Sequence, residues 1–181
     1  MKQLSAFTLL LSLGTILTGC PYDSPYCIDP VPLLPIDESL LGKWTAFVEK
    51  PGDETHFREE PVTIIFEKRT EMEYEIAITG YIGELKRYNL ITNDTIKGTA
   101  YLSEVSSRRF LNTTIHGKVY IAEIKKEKGQ LFSLLPLAEV FTSKLIKNSS
   151  ELRSAVGFHY KVRLKPGYDQ QFSLKSLKRV N

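Results

Sequence analysis

Thiol and imidazole groups, the usual nucleophiles and transition-metal ligands, occur at five positions: the two cysteines Cys20 and Cys27, and the three histidines His56, His116 and His159. No histidine has another histidine or a cysteine two to four positions away, whereas a metal site gathers three or four ligands, commonly at such spacings. The GxSxG and SxxK nucleophile patterns and a glycine-rich phosphate loop are also absent. We therefore predict no cofactor, no metal site and no catalytic centre. An enzyme whose site assembles from distant residues is the alternative.

Cys20 stands apart from the other four because of what precedes it. Lys2 gives a short positive start, and the run from Leu4 to Leu17 is apolar over 14 residues, too short to span a hydrocarbon core, which needs about 20. The run ends in Leu17-Thr18-Gly19-Cys20. These four residues resemble the lipobox of bacterial lipoprotein signals at every position, with small residues that let the processing peptidase approach the backbone. Residues 1–19 are thus predicted to be a signal peptide.

The resemblance implies a Cys20 that carries a thioether-linked diacylglycerol and an amide-linked acyl chain such as palmitate. It also implies a location in the bacterial cell envelope, with the membrane as a partner through the lipid. The inner membrane, the outer membrane and the cell surface all stay open. Cys27 then lacks an intrachain partner, and the alternative is a Cys20–Cys27 disulfide in a secreted protein without lipid.

Residues 20–39 are predicted to form a proline-rich tether, since they hold five of the nine prolines. Proline-rich chains favour extended polyproline II, and about 18 such residues at about 3.1 Å each could hold a domain up to roughly 55 Å from the bilayer. Packing of residues 31–34 along the domain surface is the alternative.

Residues 40–181 are predicted to form one mainly β domain. Asp37 can cap a single helical turn that Gly42 ends, and Trp44 then opens the first strand. Alternating apolar residues recur from there in segments of about ten residues, which indicates an antiparallel meander. The predicted strands after the first are 62–66, 74–82, 84–92, 97–105, 109–115, 117–126 and 130–135. A meander of about eight strands buries its edges best by closing into a barrel.

One short helix is predicted near residues 148–156, where Asn148 and Glu151 form a capping pattern and Gly157 follows. Strand alternation is expected to resume over 158–164, and a last strand over 171–180.

The triplet Gly42-Lys43-Trp44, at the start of the first strand, resembles the GxW motif of lipocalins and related calycin barrels. In that family the tryptophan plugs one end of the barrel, and a basic side chain from a late strand packs on its ring. The resemblance implies a lipocalin-like barrel and makes Arg163 and Arg179 the candidates for that basic side chain.

Charge divides along the chain: residues 20–116 carry 10 basic and 16 acidic residues, and residues 117–181 carry 13 and 5. A closed barrel lets such opposite charges meet across strands. The alternative is a cationic patch for anionic headgroups or an acidic partner. Its residues would be Lys161, Arg163, Lys165, Lys175, Lys178 and Arg179. Nucleic acid is not expected as a partner outside the cytoplasm.

Two functions follow from this organisation. The protein is either a non-catalytic binding module for a small apolar or amphipathic ligand, as calycin-type folds often are, or an accessory or inhibitor-type lipoprotein that docks an envelope protein through its outer surface. No ligand-binding residue is predicted. The inward candidates are large enough to fill an eight-stranded interior; they are Phe66, Tyr74, Ile76, Ile78, Ile82, Leu102, Val119 and Ile121.

Overall fold

The computed structural model describes residues 23–50, 58–80, 95–138, 146–162, 167–169 and 172–180. It confirms a closed, antiparallel, eight-stranded barrel in which each strand pairs with the next and the last pairs with the first. The strands are β1 (Gly42–Lys50), β2 (Arg58–Lys68), β3 (Tyr74–Gly80), β4 (Thr95–Val105), β5 (Arg108–Ile115), β6 (Lys118–Lys126), β7 (Phe132–Pro136) and β8 (Leu174–Val180). The predicted strand 84–92, like Ile82 and His56, lies outside the described residues.

Two tight hairpins mark the two ends of the barrel. The turn between β4 and β5 is Ser106-Ser107, with φ of 52° and 60°, and that between β5 and β6 is His116-Gly117, with φ of 49° and 76°. Two consecutive positive φ values match the twist of antiparallel strands in a two-residue turn. We call the end with Ser106-Ser107, where β1 also begins, the lower end. The end with His116-Gly117 is the upper end.

The lower half of the interior is filled by aromatic rings. Trp44 and Phe132 meet edge to face with ring centroids 4.7 Å apart, and Phe66 packs against Tyr74 at 5.6 Å. All four residues are at most 3% exposed. Edge-to-face packing suits the ring quadrupoles and fills the interior without a void.

A second core lies outside the barrel, between the outer faces of β5 and β6 and the helix α1 (Ser149–Lys161). Leu152 and Val156 of α1 are fully buried there, together with Phe110 and Ile121. The expectation that Val119 and Ile121 point inward is therefore wrong. Strand β6 is apolar on both faces because both faces are covered, so alternation alone could not tell inside from outside.

Helix α1 begins as predicted but ends later. The Asn148 side chain accepts a hydrogen bond from the Glu151 amide at 2.9 Å. Gly157 stays helical, and a Cβ there would lie 3.4 Å from the Val105 side chain. That distance is an ordinary van der Waals contact, and the prediction that Gly157 ends the helix is wrong. The predicted strand over 158–164 is also wrong for residues 158–161, because the helix includes them.

Residues 23–37 form an N-terminal strap along the outside of the barrel. The Ser24 amide bonds to the Val119 carbonyl at the upper end, at 2.7 Å, and the Ile36 amide bonds to the Glu71 carbonyl at the lower end, at 3.0 Å. Between them Ile28 is 1% exposed. Residues 23–37 therefore pack along the domain rather than extend away from it as a spacer. Leu34 and Ile36 contact the barrel core.

After the strap, Glu38–Leu40 form a single 3-10 turn capped by Asp37, as predicted, and β1 follows. Among the described residues, no helix has the length and apolar character needed to cross a membrane.

Candidate binding site

The GxW-like triplet closes the lower end of the barrel. Trp44 is 3% exposed, and its indole N–H donates to the Leu40 carbonyl at 2.7 Å. The Arg179 guanidinium lies 5.5 Å from the Trp44 ring centroid and donates to the Leu41 carbonyl at 2.6 Å. Gly42 has φ of 114°, which few side chains tolerate. The prediction of a basic residue on Trp44 is confirmed for Arg179, while Arg163 lies outside the described residues.

Asp37 ties the strap to the same end. Its carboxylate contacts Arg109 at 2.6 Å and Lys126 at 3.0 Å. Burial opposes ionisation of this carboxyl group, but hydrogen bonds from Ser39 and Lys126 outweigh it and lower its pKa. The Asp37 amide also donates to the Tyr74 hydroxyl at 2.6 Å, and burial raises the pKa of Tyr74 to about 12. These contacts fix the strap across the lower opening.

Two shallow clefts flank this ion cluster, of about 340 and 640 Å³. Both are lined by Arg109 and Lys126 and by Asp37, whose carboxylate already pairs with both of these cations. Because a ligand would have to displace these ion pairs, the lower clefts fit a structural closure better than a binding site.

Glu123 forms a polar cluster on the outer face of β6. It is 3% exposed, contacts Arg108 at 2.8 Å and accepts hydrogen bonds from the hydroxyls of Tyr160 and Tyr168. Burial, followed by the bond to Glu123, raises the pKa of Tyr168 to about 12 and also raises that of Tyr160. The Arg108 guanidinium lies 4.3 Å from the Tyr160 ring centroid. With the carboxylate enclosed in this way, the cluster holds α1 against the barrel.

The upper end is built differently. Near its rim, six strands carry an inward position that is half-buried rather than buried: on β2 it is Glu60, the partner of Val48, and on the other five it is uncharged. These five positions are Val48 of β1, Ile78 of β3, Gly98 of β4, Ile115 of β5 and Tyr120 of β6. We call them the mouth. Gly98 lacks a side chain where one would clash with Ile115, since a Cβ there would lie 2.8 Å from the Ile115 Cγ1.

The mouth ends on a closed layer of small side chains. Ala46, Val62 and Ala100 lie one inward position deeper and are at most 3% exposed. The mouth is therefore a set of half-buried, mostly apolar inward positions above a packed interior. Sequence reasoning missed it, although counting inward in steps of two from Trp44 reaches Ala46 and then Val48.

Of the residues singled out for chemistry, Cys27 lies half-buried in the strap and His116 lies exposed in the upper turn, while Cys20 falls outside the described residues. Burial raises the pKa of Tyr101, and a hydrogen bond with Cys27 raises it further. No group of three histidine, cysteine or acidic side chains that could hold a metal occurs in the part of the chain that the structure describes.

The charge division of the sequence reappears as ion pairs between early acidic and late basic residues. Asp29 contacts Arg153 at 2.5 Å, and Asp23 contacts Lys118 at 3.3 Å. The predicted cationic patch is wrong in one respect: Lys161 lies on α1 rather than on a strand. Arg163 and Lys165 lie outside the described residues, while Lys175 and Lys178 are exposed on β8.

No protein-family model, no curated protein and no solved structure matches this chain. The barrel is consistent with a lipocalin-like fold and compatible with a binding module.

Proposed function

We propose that this protein is a lipid-anchored envelope protein of bacteria and a non-catalytic binding module that takes a small apolar or amphipathic ligand at the mouth of its barrel. The lipobox-like residues Leu17-Thr18-Gly19-Cys20 support the anchor. The observation that carries the binding function is the half-buried apolar mouth above a closed layer. Exposed apolar concavities rimmed by rigid strands are the usual form of a small-molecule site.

The ligand class is inferred from the chemistry of the mouth residues. Their side chains are aliphatic except for the phenol of Tyr120, so the mouth can bury hydrocarbon at about 25 cal/mol per Å². None of the five mouth residues is charged, and Glu60, which pairs with Val48, is an acidic residue at this rim. We therefore expect a ligand with an apolar body, in which a polar group stays at the rim.

Native mass spectrometry of the protein purified from its own host tests this function. The wild type is expected to carry a small molecule, and the variant Ile78→Glu to lose it, because a carboxylate in the mouth opposes hydrocarbon burial. The matched control is Thr79→Glu, since Thr79 is the next residue of β3 and points outward by alternation. A ligand-free wild type, or equal occupancy in both variants, contradicts the proposal.

A second candidate, docking of an envelope protein, is supported by the outer face of α1. Phe158 is 57% exposed and Val162, one turn later, is 42% exposed. A photo-crosslinking residue at position 158 in living cells would capture a specific protein if this face docks one, and a mock position such as Ser154 would not. Failure to capture a single protein leaves the mouth as the functional surface.

A further inference from the structure

The strap determines which end of the barrel an N-terminal anchor can reach. Its first described contacts are at the upper end, where the Ser24 amide bonds to the Val119 carbonyl at 2.7 Å and Asp23 contacts Lys118 at 3.3 Å. Val119 lies two residues after Gly117 of the upper turn. The chain therefore joins the barrel beside the mouth rather than at the closed end.

The strap is fixed to the barrel along its length and cannot extend as a spacer without breaking buried contacts. The Ile28 amide donates to the Asn112 side chain at 2.8 Å, and the Asp29 carbonyl accepts from the Tyr101 hydroxyl. Arg153 of α1 holds the Asp29 carboxylate at 2.5 Å. Ile28 is only 1% exposed in the folded protein. Breaking these contacts would expose its side chain to water and leave buried polar groups unsatisfied.

What remains between Cys20 and Ser24 is short. Four residues span at most about 14 Å when fully extended. Strand β4, with 11 residues, measures about 35 Å, and a strand tilt of about 35–45° leaves roughly 25–30 Å between the two ends of the barrel. A lipid on Cys20 can therefore bring the upper end to the bilayer, while the lower end is held out of reach.

We propose that the lipidated N-terminus holds the mouth of the barrel against the membrane, so that its ligand is a membrane lipid or an apolar molecule taken from the leaflet. This inference rests on the proposed function and names the source and class of the ligand. The partner surface is the host bilayer. In this orientation the half-buried mouth residues Val48, Ile78, Ile115 and Tyr120 face the bilayer.

The orientation is measured with the full, lipidated protein in vesicles of phosphatidylethanolamine and phosphatidylglycerol. In a Cys27→Ser background, a fluorophore is attached to single cysteines at the upper end (Lys97→Cys), the lower end (Lys128→Cys) or the outside of the strap (Val31→Cys); all three positions are exposed. Lipids with a nitroxide on the headgroup then quench labels near the membrane surface.

We expect the label at position 97 to be quenched at least threefold more than the labels at 128 and 31. Equal quenching at 128 means that the lower end faces the bilayer, and stronger quenching at 31 means that the barrel lies on its strap. Either result overturns the orientation while the protein still sediments with the vesicles. A protein that does not sediment with vesicles, and whose Cys20 has the mass of an unmodified residue, overturns the anchor and the orientation together.

A linker insertion provides the matched control. Twelve glycine and serine residues inserted between Tyr22 and Asp23 add a flexible reach of about 20 Å and leave every strap contact in place. We expect the insertion to keep the protein on the vesicles and to reduce the difference between the labels at 97 and 128. An unchanged difference would show that the short connection does not set the orientation.

Ligand transfer is tested with a pyrene-labelled phospholipid in the same vesicles. The wild type is expected to take up the pyrene lipid, seen as loss of excimer emission, and Ile78→Glu to lose this uptake while its label at 97 stays quenched. If Ile78→Glu takes up the lipid as the wild type does, the mouth is not the site of entry.

Discussion

The two ends of the barrel are made from different kinds of side chain. The lower end is sealed by the rings of Trp44, Phe66, Tyr74 and Phe132 and by the strap, which Asp37 fastens to Arg109 and Lys126. At the upper end the inward residues Val48, Ile78 and Ile115 are half-buried, although Ile96, which pairs with Ile78, is 3% exposed. The packing at the lower end can stabilise the fold. The upper end is then free to keep apolar surface partly exposed for a ligand.

This difference predicts that substitutions at the two ends have separate consequences. Changes at the lower end should lower the free energy of unfolding and leave binding intact. Changes at the mouth should weaken binding and leave the free energy of unfolding nearly unchanged.

Trp44→Ala should have the largest effect, because it removes a buried ring, its hydrogen bond to Leu40 and its contact with Phe132. We expect a loss of about 3–5 kcal/mol in the free energy of unfolding, measured by urea denaturation. Phe47→Ala is the control: Phe47 lies on the same strand but is 60% exposed, so its loss should be within about 0.5 kcal/mol. Similar losses for the two variants would contradict a sealed lower end.

Asn112→Ala tests whether the strap belongs to the stable part of the molecule. Asn112 is 1% exposed, accepts from the Ile28 amide and donates to the Ser103 hydroxyl, with both distances 2.8 Å. We expect a loss of about 1–3 kcal/mol, because the buried Ile28 amide is left without a partner. Hydrogen exchange at Ile28 should also become faster. Unchanged exchange there would mean that Asn112 does not hold the strap.

Much of the fold could be predicted from the sequence, because the signals were local. Alternation and turn residues were enough to predict the meander, and Asp37, Gly42 and Asn148 were correctly placed at the ends of their elements. Arg179 could be proposed as the partner of Trp44 only through the family resemblance, since nothing local joins them.

The errors came from features that only the tertiary structure decides. The proline-rich composition of the strap suited an extended spacer equally well, and its docking depends on Asn112 and Tyr101, which lie far along the chain. The prediction that Gly157 ends the helix is wrong because a glycine alone is a weak stop signal, and α1 continues to Lys161 while packed against the barrel. The mouth depends on how far each strand extends beyond the packed interior, which periodicity does not report.

Arg179→Gln should have a smaller effect. The guanidinium stacks on the Trp44 ring and bonds to the Leu41 carbonyl, but it remains exposed to water. We expect a loss of about 0.5–2 kcal/mol in the free energy of unfolding and a shift in Trp44 fluorescence. Lys178→Gln, at the exposed neighbouring position of β8, should change neither. Equal effects of the two substitutions would mean that Arg179 does not stabilise the lower end of the barrel.

Asp37→Asn should have the smallest effect of the four, and its deficit relative to the wild type should be present at neutral pH and fade in acid. The pKa of Asp37 is lowered in the folded protein, so its contribution to stability is present above the unfolded value of about 3.8 and is lost as the pH falls through the folded pKa. The free energy of unfolding of the variant should therefore fall less between about pH 5 and pH 3 than that of the wild type. Glu38→Gln, an exposed neighbour, is the control, and a wild-type slope in Asp37→Asn would contradict the assignment.

The most direct test of a binding mouth above a sealed end uses the single tryptophan of the chain. Val48 lies four residues beyond Trp44 on β1, about 13 Å away, so an apolar naphthylamine probe in the mouth should accept energy from Trp44. We predict saturable, tryptophan-sensitised probe emission that Ile78→Glu weakens at least tenfold in affinity and that Thr79→Glu leaves unchanged. Absence of sensitised emission in the wild type, or equal affinities for the two variants, would contradict the account.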